Sequence, residues 1–374
     1  MTTPAYLDIH ALQTVPYSNL NRDDLGTPKT LMYGGAERTR VSSQSWKRAV
    51  RHEIEQRLGQ PAIRTRHITE AVAGRLTAQG WDRELALAGA RQVVRSAGKE
   101  GREGIQLEDD GKKTSVTFYL PASGIDELAA IIADHRDAVA AEALKKKPAG
   151  ILPKDQVEAV LRSRNATIQL MGRMLAELPG AEVDGAVQFA HAFTTHATVV
   201  ETDFFTAVDD IEKAGSAHMN SGQFSAGTFY RYANVGLGTL AANLDGDLAA
   251  TRELATEFLR AFITTVPSGK QNATAAMTIP DLVYIAVRTD RPISLAAAFE
   301  DPVCSQIGYA EPSRQELSAY AARVHEYWGT NGLDWHGHAA IAAKPLPGLG
   351  NRTDSLTTLV EDAIAAAFTT PEKQ

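Results

Sequence analysis

Cysteine is almost missing from this chain of 374 residues: Cys304 stands alone, which excludes an internal disulfide and a thiolate metal cluster. Its neighbours Pro302 and Val303 mark a small buried or loop residue, a poor nucleophile. Long apolar runs are absent too. Nothing approaches the roughly 20 residues that a membrane span needs, and the start MTTPAYLDIHALQ has neither the basic nor the apolar region of a signal peptide. A cytoplasmic protein without membrane partners is expected. No HExxH, Walker A or GxSxG motif occurs, nor any cofactor fingerprint, internal repeat or low-complexity linker, so no cofactor is expected. What remains is 44% hydrophobic and 22% charged, an ordinary globular composition with length for two domains or more.

Acidic residues are missing from one place in particular. Although the net charge is -7, residues 38–51, RTRVSSQSWKRAVR, carry Arg38, Arg40, Lys47, Arg48 and Arg51 with no Asp or Glu. Ser42 and Ser43 are both good helix N-caps, and Trp46, Val50, Ile54 and Leu58 follow at i, i+4 spacing, so a helix with one apolar stripe is expected. Lys47 and Arg51 lie four apart with Arg48 beside them, a second stripe turned away from the first. The helix start adds backbone N–H groups and a positive dipole end. Arg38 and Arg40, on the incoming extended segment, are expected to approach the same place. A solvated helix face is the alternative, but such faces mix signs, as Glu53, Glu55 and Arg57 do, and an unmixed cluster on an acidic protein repels itself unless an anion neutralises it. Spacing alone leaves a nucleotide, a phosphorylated metabolite and a nucleic acid backbone open.

Along the chain, residues 6–15 read as a strand, followed by a turn-rich loop. Helical periodicity covers 67–78, 81–97, 125–144 and 156–178, interrupted at 98–113, GKEGREGIQLEDDGKK, which reads as a mobile loop. Beyond 180 the texture changes: 229–235 and 282–287 are strand-like, with helices near 251–266, 314–328 and 355–368. A helical block inserted into mixed strands and helices implies an α+β domain interrupted by a helical one.

Two further groups invite chemistry. His191, His196, His218 and the Asp209-Asp210 pair suggest a metal site, yet on a helix two His five apart diverge by about 140°. The plainer reading is a hydrogen-bonding His and capping aspartates. The aromatics Phe204, Phe205, Phe224, Phe229, Tyr230 and Tyr232 bracket a Gly- and Ser-rich stretch. They suit base stacking or a core, with Tyr230 and Tyr232 on one strand face and Phe229 on the other. The polar stretch 198–227 has the length and Gly content of a functional protrusion. Arg231 there faces a phosphate or is an ordinary surface arginine.

The blocks LNRDD (20–24), RVSSQSWKRAVR (40–51), GRM (172–174), VDGAVQFAHAFTTH (183–196), DFFTAVDD (203–210), GSAH (215–218) and FYRYANV (229–235) resemble the CasC family, the backbone subunit of the type I-E CRISPR surveillance complex, Cascade. The resemblance implies an RRM-like (ferredoxin-like) palm from 1–58 and 180–374, a helical fingers domain at 59–179, and a protruding thumb loop at 197–228. It implies a non-catalytic protein that polymerises along the CRISPR RNA with other copies of itself and other Cascade subunits, kinks the guide, and presents its bases to target DNA. Carried over residue by residue, the RNA contacts are Arg22, Lys29, Arg40, Ser42, Gln44, Lys47, Arg48, Arg51 and Met174, with Lys270 and Gln271 in a second palm loop. No metal ligands and no catalytic residues are implied. The alternative is a metal-dependent RNA nuclease that uses a thumb aspartate, since related subunits of other CRISPR classes cut RNA in that way.

Overall fold

The computed structural model describes residues 6–98, 104–208, 216–341 and 344–369. In chain order its elements are β1 (Tyr6–Ser18), β2 (Thr30–Tyr33), β3 (Ala36–Val41), α1 (Ser43–Leu58), β4 (Ala62–Thr65), α2 (Ile68–Ala78), α3 (Arg83–Ser96), β5 (Leu107–Glu108), β6 (Lys113–Thr114), β7 (Phe118–Pro121), α4 (Ser123–Asp134), α5 (Arg136–Ala143), α6 (Lys154–Arg162) and α7 (Ala166–Met171). Then follow β8 (Val187–Phe189), β9 (Ala192–Thr194), β10 (Glu201–Val208), β11 (Ser216–Gly236), α8 (Leu237–Asn243), α9 (Leu248–Thr264), α10 (Gln271–Thr274), β12 (Leu282–Arg288), α11 (Ala310–Trp328), β13 (Leu333–Ala340), β14 (Asn351–Arg352) and α12 (Leu356–Ala367). Two compact units result, one joining Met1–Glu53 to Val187–Gln374 and the other running Ile54–Ala186. The sequence expectation puts the cuts at 58/59 and 179/180. Both differ: α1 is divided, with residues 43–53 in one unit and 54–58 in the other, and residues 180–186 go with the helical unit.

In the first unit, a sheet orders its strands β14-β13-β12-β1-β11-β9-β3-β2, with β10 and β8 also paired to β11. All of these pairings are antiparallel except β13 with β14. Strand alternation sorts β11 into two faces. Tyr230 and Tyr232 join Leu12, Tyr284 and the α11 residues Leu317 and Ala321 in one core. Phe229 joins Val15, Val41, Trp46 and Ala276 in another. Arg231, on the Phe229 side, lies over the Phe262 ring, which places α9 on that face. The split of the aromatics is as expected, and its use is packing: Tyr232 donates to Asp8 (2.8 Å), and the Tyr230 hydroxyl is 2.8 Å from His10 Nδ1. None of the three is a stacking platform.

The second unit is helical around Val72, Leu76, Ala90, Val93, Leu128, Ile132, Val157 and Leu161, with the pairs β4–β7 and β5–β6. Two expected helices are divided. The 125–144 pattern breaks at His135 between α4 and α5. The 156–178 pattern breaks where Asn165 Oδ1 caps α7 by accepting from Ile168 N (3.0 Å), and ends at Gly172 with φ of 78°. Where a mobile loop is expected, residues 107–114 form the β5–β6 hairpin, turned by Asp109 and Asp110 at positive φ, a conformation Asp tolerates. Residues 99–103 of that stretch lie outside the described residues.

The expected thumb loop is corrected as well. Residues 201–208 and 216–224 pair antiparallel, from Glu201↔Phe224 to Val208↔Ser216, as a ribbon that continues β11 beyond its pairing with β1. Thr and Phe favour strands, and Gly227 serves close approach and not a loop: a Cβ there would lie 2.6 Å from Thr194 Cγ2.

Candidate nucleic-acid interface

The basic helix forms as its sequence dictates. Ser42 is the N-cap of α1: its Oγ accepts from Ser45 N (3.3 Å), and its N–H donates to Asn21 Oδ1 (2.9 Å). Trp46, Val50 and Ile54 are buried, which turns Gln44 and Arg48 outward and leaves Lys47 and Arg51 half-buried. Ser42 is itself buried, so its hydroxyl serves the helix start. Arg51 Nη2 lies 3.1 Å from His52 Nε2.

Residues 19–21 tie the other predicted positions to this helix. Asn19 is buried, and its Nδ2 donates to Gly26 O (2.9 Å), closing the loop that carries exposed Arg22. The same Nδ2 donates to Gln223 O (2.8 Å) at the foot of the ribbon, where Thr27 Oγ1 also donates to the Gln223 side chain. Asn21 O accepts from Lys29 N (3.0 Å), and Lys29 O from Arg40 N (2.8 Å). Gly269 packs so closely on Leu20 that a Cβ there would collide with the Leu20 carbonyl. The next residue, Lys270, is exposed in a left-handed conformation. Gln271 closes that loop by donating to Pro267 O (3.2 Å) and Ala276 O (3.4 Å). Arg22, Lys29, Arg40, the α1 start, Lys270 and the ribbon foot therefore converge on one three-residue segment.

Several expectations are corrected. Arg38 does not approach an anion with Arg40. It is 0% exposed and donates to Thr194 O (2.9 Å), Phe299 O (3.1 Å) and Glu300 O (3.3 Å). Arg231 is neither phosphate-facing nor a surface residue: it is buried, donates to Gln13 Oε1 (2.6 Å) and to Phe262 O, and burial pushes its guanidinium down to about 9. Residues 191–196 are not helical. His196 is buried, its Nε2 accepts from Thr228 N (3.1 Å), and its ring stacks 3.5 Å from Tyr309. His191 is exposed beside Arg40. Asp209 and Asp210 lie outside the described residues. Cys304 is exposed in a loop.

Met174, in the helical unit, is 88% exposed. Its neighbour Arg173 is buried and donates to the carbonyls of Ala181, Tyr119, Ser163 and Arg162, bracing the turn that presents the methionine. Of the aromatics around the ribbon, Phe204 and Phe205 are exposed, while Phe224 is buried and stacks on Tyr17 with centroids 4.4 Å apart.

Residues 7–362 match the family described as CT1975-like proteins. The chain belongs to this family. Among solved structures it is similar to a chain of a CRISPR RNA-guided surveillance complex in a pre-nicking state, with 60% identity, 97% of this chain and 100% of that one covered, and a TM-score of 0.90. A chain of a second CRISPR RNA-guided surveillance complex shares 52% identity over 97% of this chain and 100% of that one, with a TM-score of 0.82. Curated proteins gave no match. Membership of the CT1975-like family agrees with the CasC resemblance carried by the sequence blocks. Among the described residues no helix is long and apolar enough to cross a membrane.

Proposed function

We propose that this chain is the guide-binding backbone subunit of a type I-E CRISPR surveillance complex, acting in the cytoplasm without catalysis. It polymerises along the CRISPR RNA with further copies of itself and the other Cascade subunits, kinks the guide, and presents its bases for pairing with target DNA. In this reading the first unit is the RRM-like palm, the helical unit is the fingers, and the β10–β11 ribbon is the thumb. The carrying observation is the convergence on residues 19–21, which sets Arg22, Lys29, Arg40, the start of α1 and Lys270 in fixed relation to the foot of the ribbon. Cations fixed in this way suit a phosphate backbone and carry no base readout, so sequence choice passes to the guide.

Photo-crosslinking to single-stranded RNA tests this reading. Crosslinks are expected at 22, 29, 40, 44–51 and 270, with similar affinities for unrelated sequences. Crosslinks confined to other surfaces, or affinities that depend on sequence, contradict it. The non-catalytic part is tested by incubation with RNA and guide-paired DNA in Mg²⁺, Mn²⁺ or Zn²⁺. Both substrates stay intact under the proposal. Metal-dependent cleavage that Asp209→Ala abolishes makes the protein a nuclease.

A further inference from the structure

Strand β3 and the residues that lead into β2 and β9 bring Lys29, Arg40 and His191 together. Thr30 pairs with Thr39, and the bond from Arg40 N to Lys29 O (2.8 Å) carries that register one residue further, setting Lys29 opposite Arg40. On the other side Arg40 pairs with Phe193, so His191, two residues before Phe193, is its diagonal neighbour on the same face. Like charges directly opposite each other weaken a ladder, so the Lys29–Arg40 pair has the character of a site that awaits an anion. His191 completes it. Its Nδ1 lies 3.2 Å from Arg40 Nη1, and a guanidinium offers only donors, so Nδ1 accepts and the ring proton sits on Nε2. His191 is exposed, which leaves Nε2–H reachable by a ligand.

We propose that Lys29, Arg40 and His191 hold one phosphodiester of a single-stranded RNA, and that seating it draws a proton from solvent onto His191. The assignment of His191 rests on the RNA-binding reading above and deepens it. In the free protein, partial burial and then the charges of Arg40 and Lys29 hold His191 below its ordinary value. A phosphate between the two cations cancels their field, Arg40 turns from Nδ1 to the phosphate oxygen, and Nδ1 is left to accept the proton. Lys29 and Arg40 are the charged groups that face His191 from the adjoining segments. Because the bound state holds more protons, affinity rises as pH falls between the free and the bound value of His191.

The test is calorimetric titration of the full chain with a single-stranded RNA oligonucleotide in two buffers of different ionisation heat, from about pH 8 to about pH 6. Wild type is expected to take up a fraction of a proton per bound chain and to bind several-fold tighter at the lower pH. His191→Gln loses the proton uptake and the pH dependence and binds more weakly than wild type, most of all near pH 6, and His191→Lys binds with pH-independent affinity. His52→Gln, altering the imidazole beside Arg51, keeps the wild-type response. An unchanged proton uptake in His191→Gln, or RNA binding by wild type without any uptake, overturns the role of His191 and leaves the RNA reading intact. No RNA binding at any pH overturns both.

Discussion

The guanidinium carbon of Arg231 lies 3.8 Å from the centre of the Trp46 ring. This contact sets a buried cation of β11 under the first turn of the basic helix, and Gln13 and the Phe262 carbonyl hold the cation in place. The direction of α1, and with it the outward aim of Gln44 and Arg48, depends on an aromatic ring wedged between the sheet and its own cationic face.

Trp46→Ala is expected to cost about 3–5 kcal/mol, because it opens a cavity and strips the buried Arg231 of a face. Trp46→Phe costs less, since a ring remains over the guanidinium. Denaturant unfolding of the three proteins checks the order. Equal stability for Trp46→Ala and wild type contradicts the role of the pair.

Arg38 and Arg40, two residues apart on β3, should respond in opposite ways. Arg38→Ala leaves three carbonyls without their donor and lowers stability by about 3 kcal/mol or more. Arg40→Ala leaves thermal unfolding nearly unchanged and weakens RNA binding. A melting curve and one binding isotherm for each variant separate the two roles.

Reversing Lys47 and Arg48 together to Glu is expected to reduce the slope of log affinity against log salt by roughly 0.7–1 for each lost phosphate contact. The decrease should be the same on two unrelated RNAs. Identical slopes for the variant and wild type remove α1 from the interface.

Acid is expected to loosen the seam between α11 and β13. His325 and His336 lie with ring centroids 5.0 Å apart, and burial, followed by the charge of His336, pushes His325 from 6.5 down to about 4. A depressed value means that the unfolded chain binds the proton first, so this stability is present above 6.5 and is lost as pH falls toward 4. His325→Gln should flatten the fall in melting temperature over that window. A fall as steep as in wild type assigns the acid sensitivity elsewhere.

Much of the frame is legible in the sequence, because it depends on local periodicity. The Trp46, Val50, Ile54 stripe and the opposite faces of Phe229 and Tyr230 follow from spacings of 3.6 and 2 and appear as expected. What escapes depends on distant contacts. Arg38 and Arg40 are indistinguishable along the strand, and it is the carbonyls of Thr194, Phe299 and Glu300, all far along the chain, that make one of them structural. Arg231 is misread for the same reason, its partners Gln13 and Phe262 coming from other elements. The glycines of 215–227 read as breakers, whereas Gly227 marks a close approach inside a strand. Asn19 carries no motif signal, and Asn21 enters only as a member of the LNRDD block, since their importance lies in which carbonyls and amides they reach. Sequence alone offers His191 as a metal ligand or a hydrogen-bonding His, and not as a phosphate contact. The signal that could have singled it out is its place two residues before a strand partner of Arg40.

The most direct test of the central claim is the length and sequence of nucleic acid that co-purifies with the protein and its partner subunits, measured together with the number of chains per RNA. A discrete RNA with a repeat-derived handle, bearing several copies of the chain at a regular nucleotide interval, is the predicted result, and deletion of 201–224 should collapse that regularity into short, heterogeneous complexes. Complexes free of RNA, or a heterogeneous RNA pool without regular spacing of the chain, would contradict the backbone role.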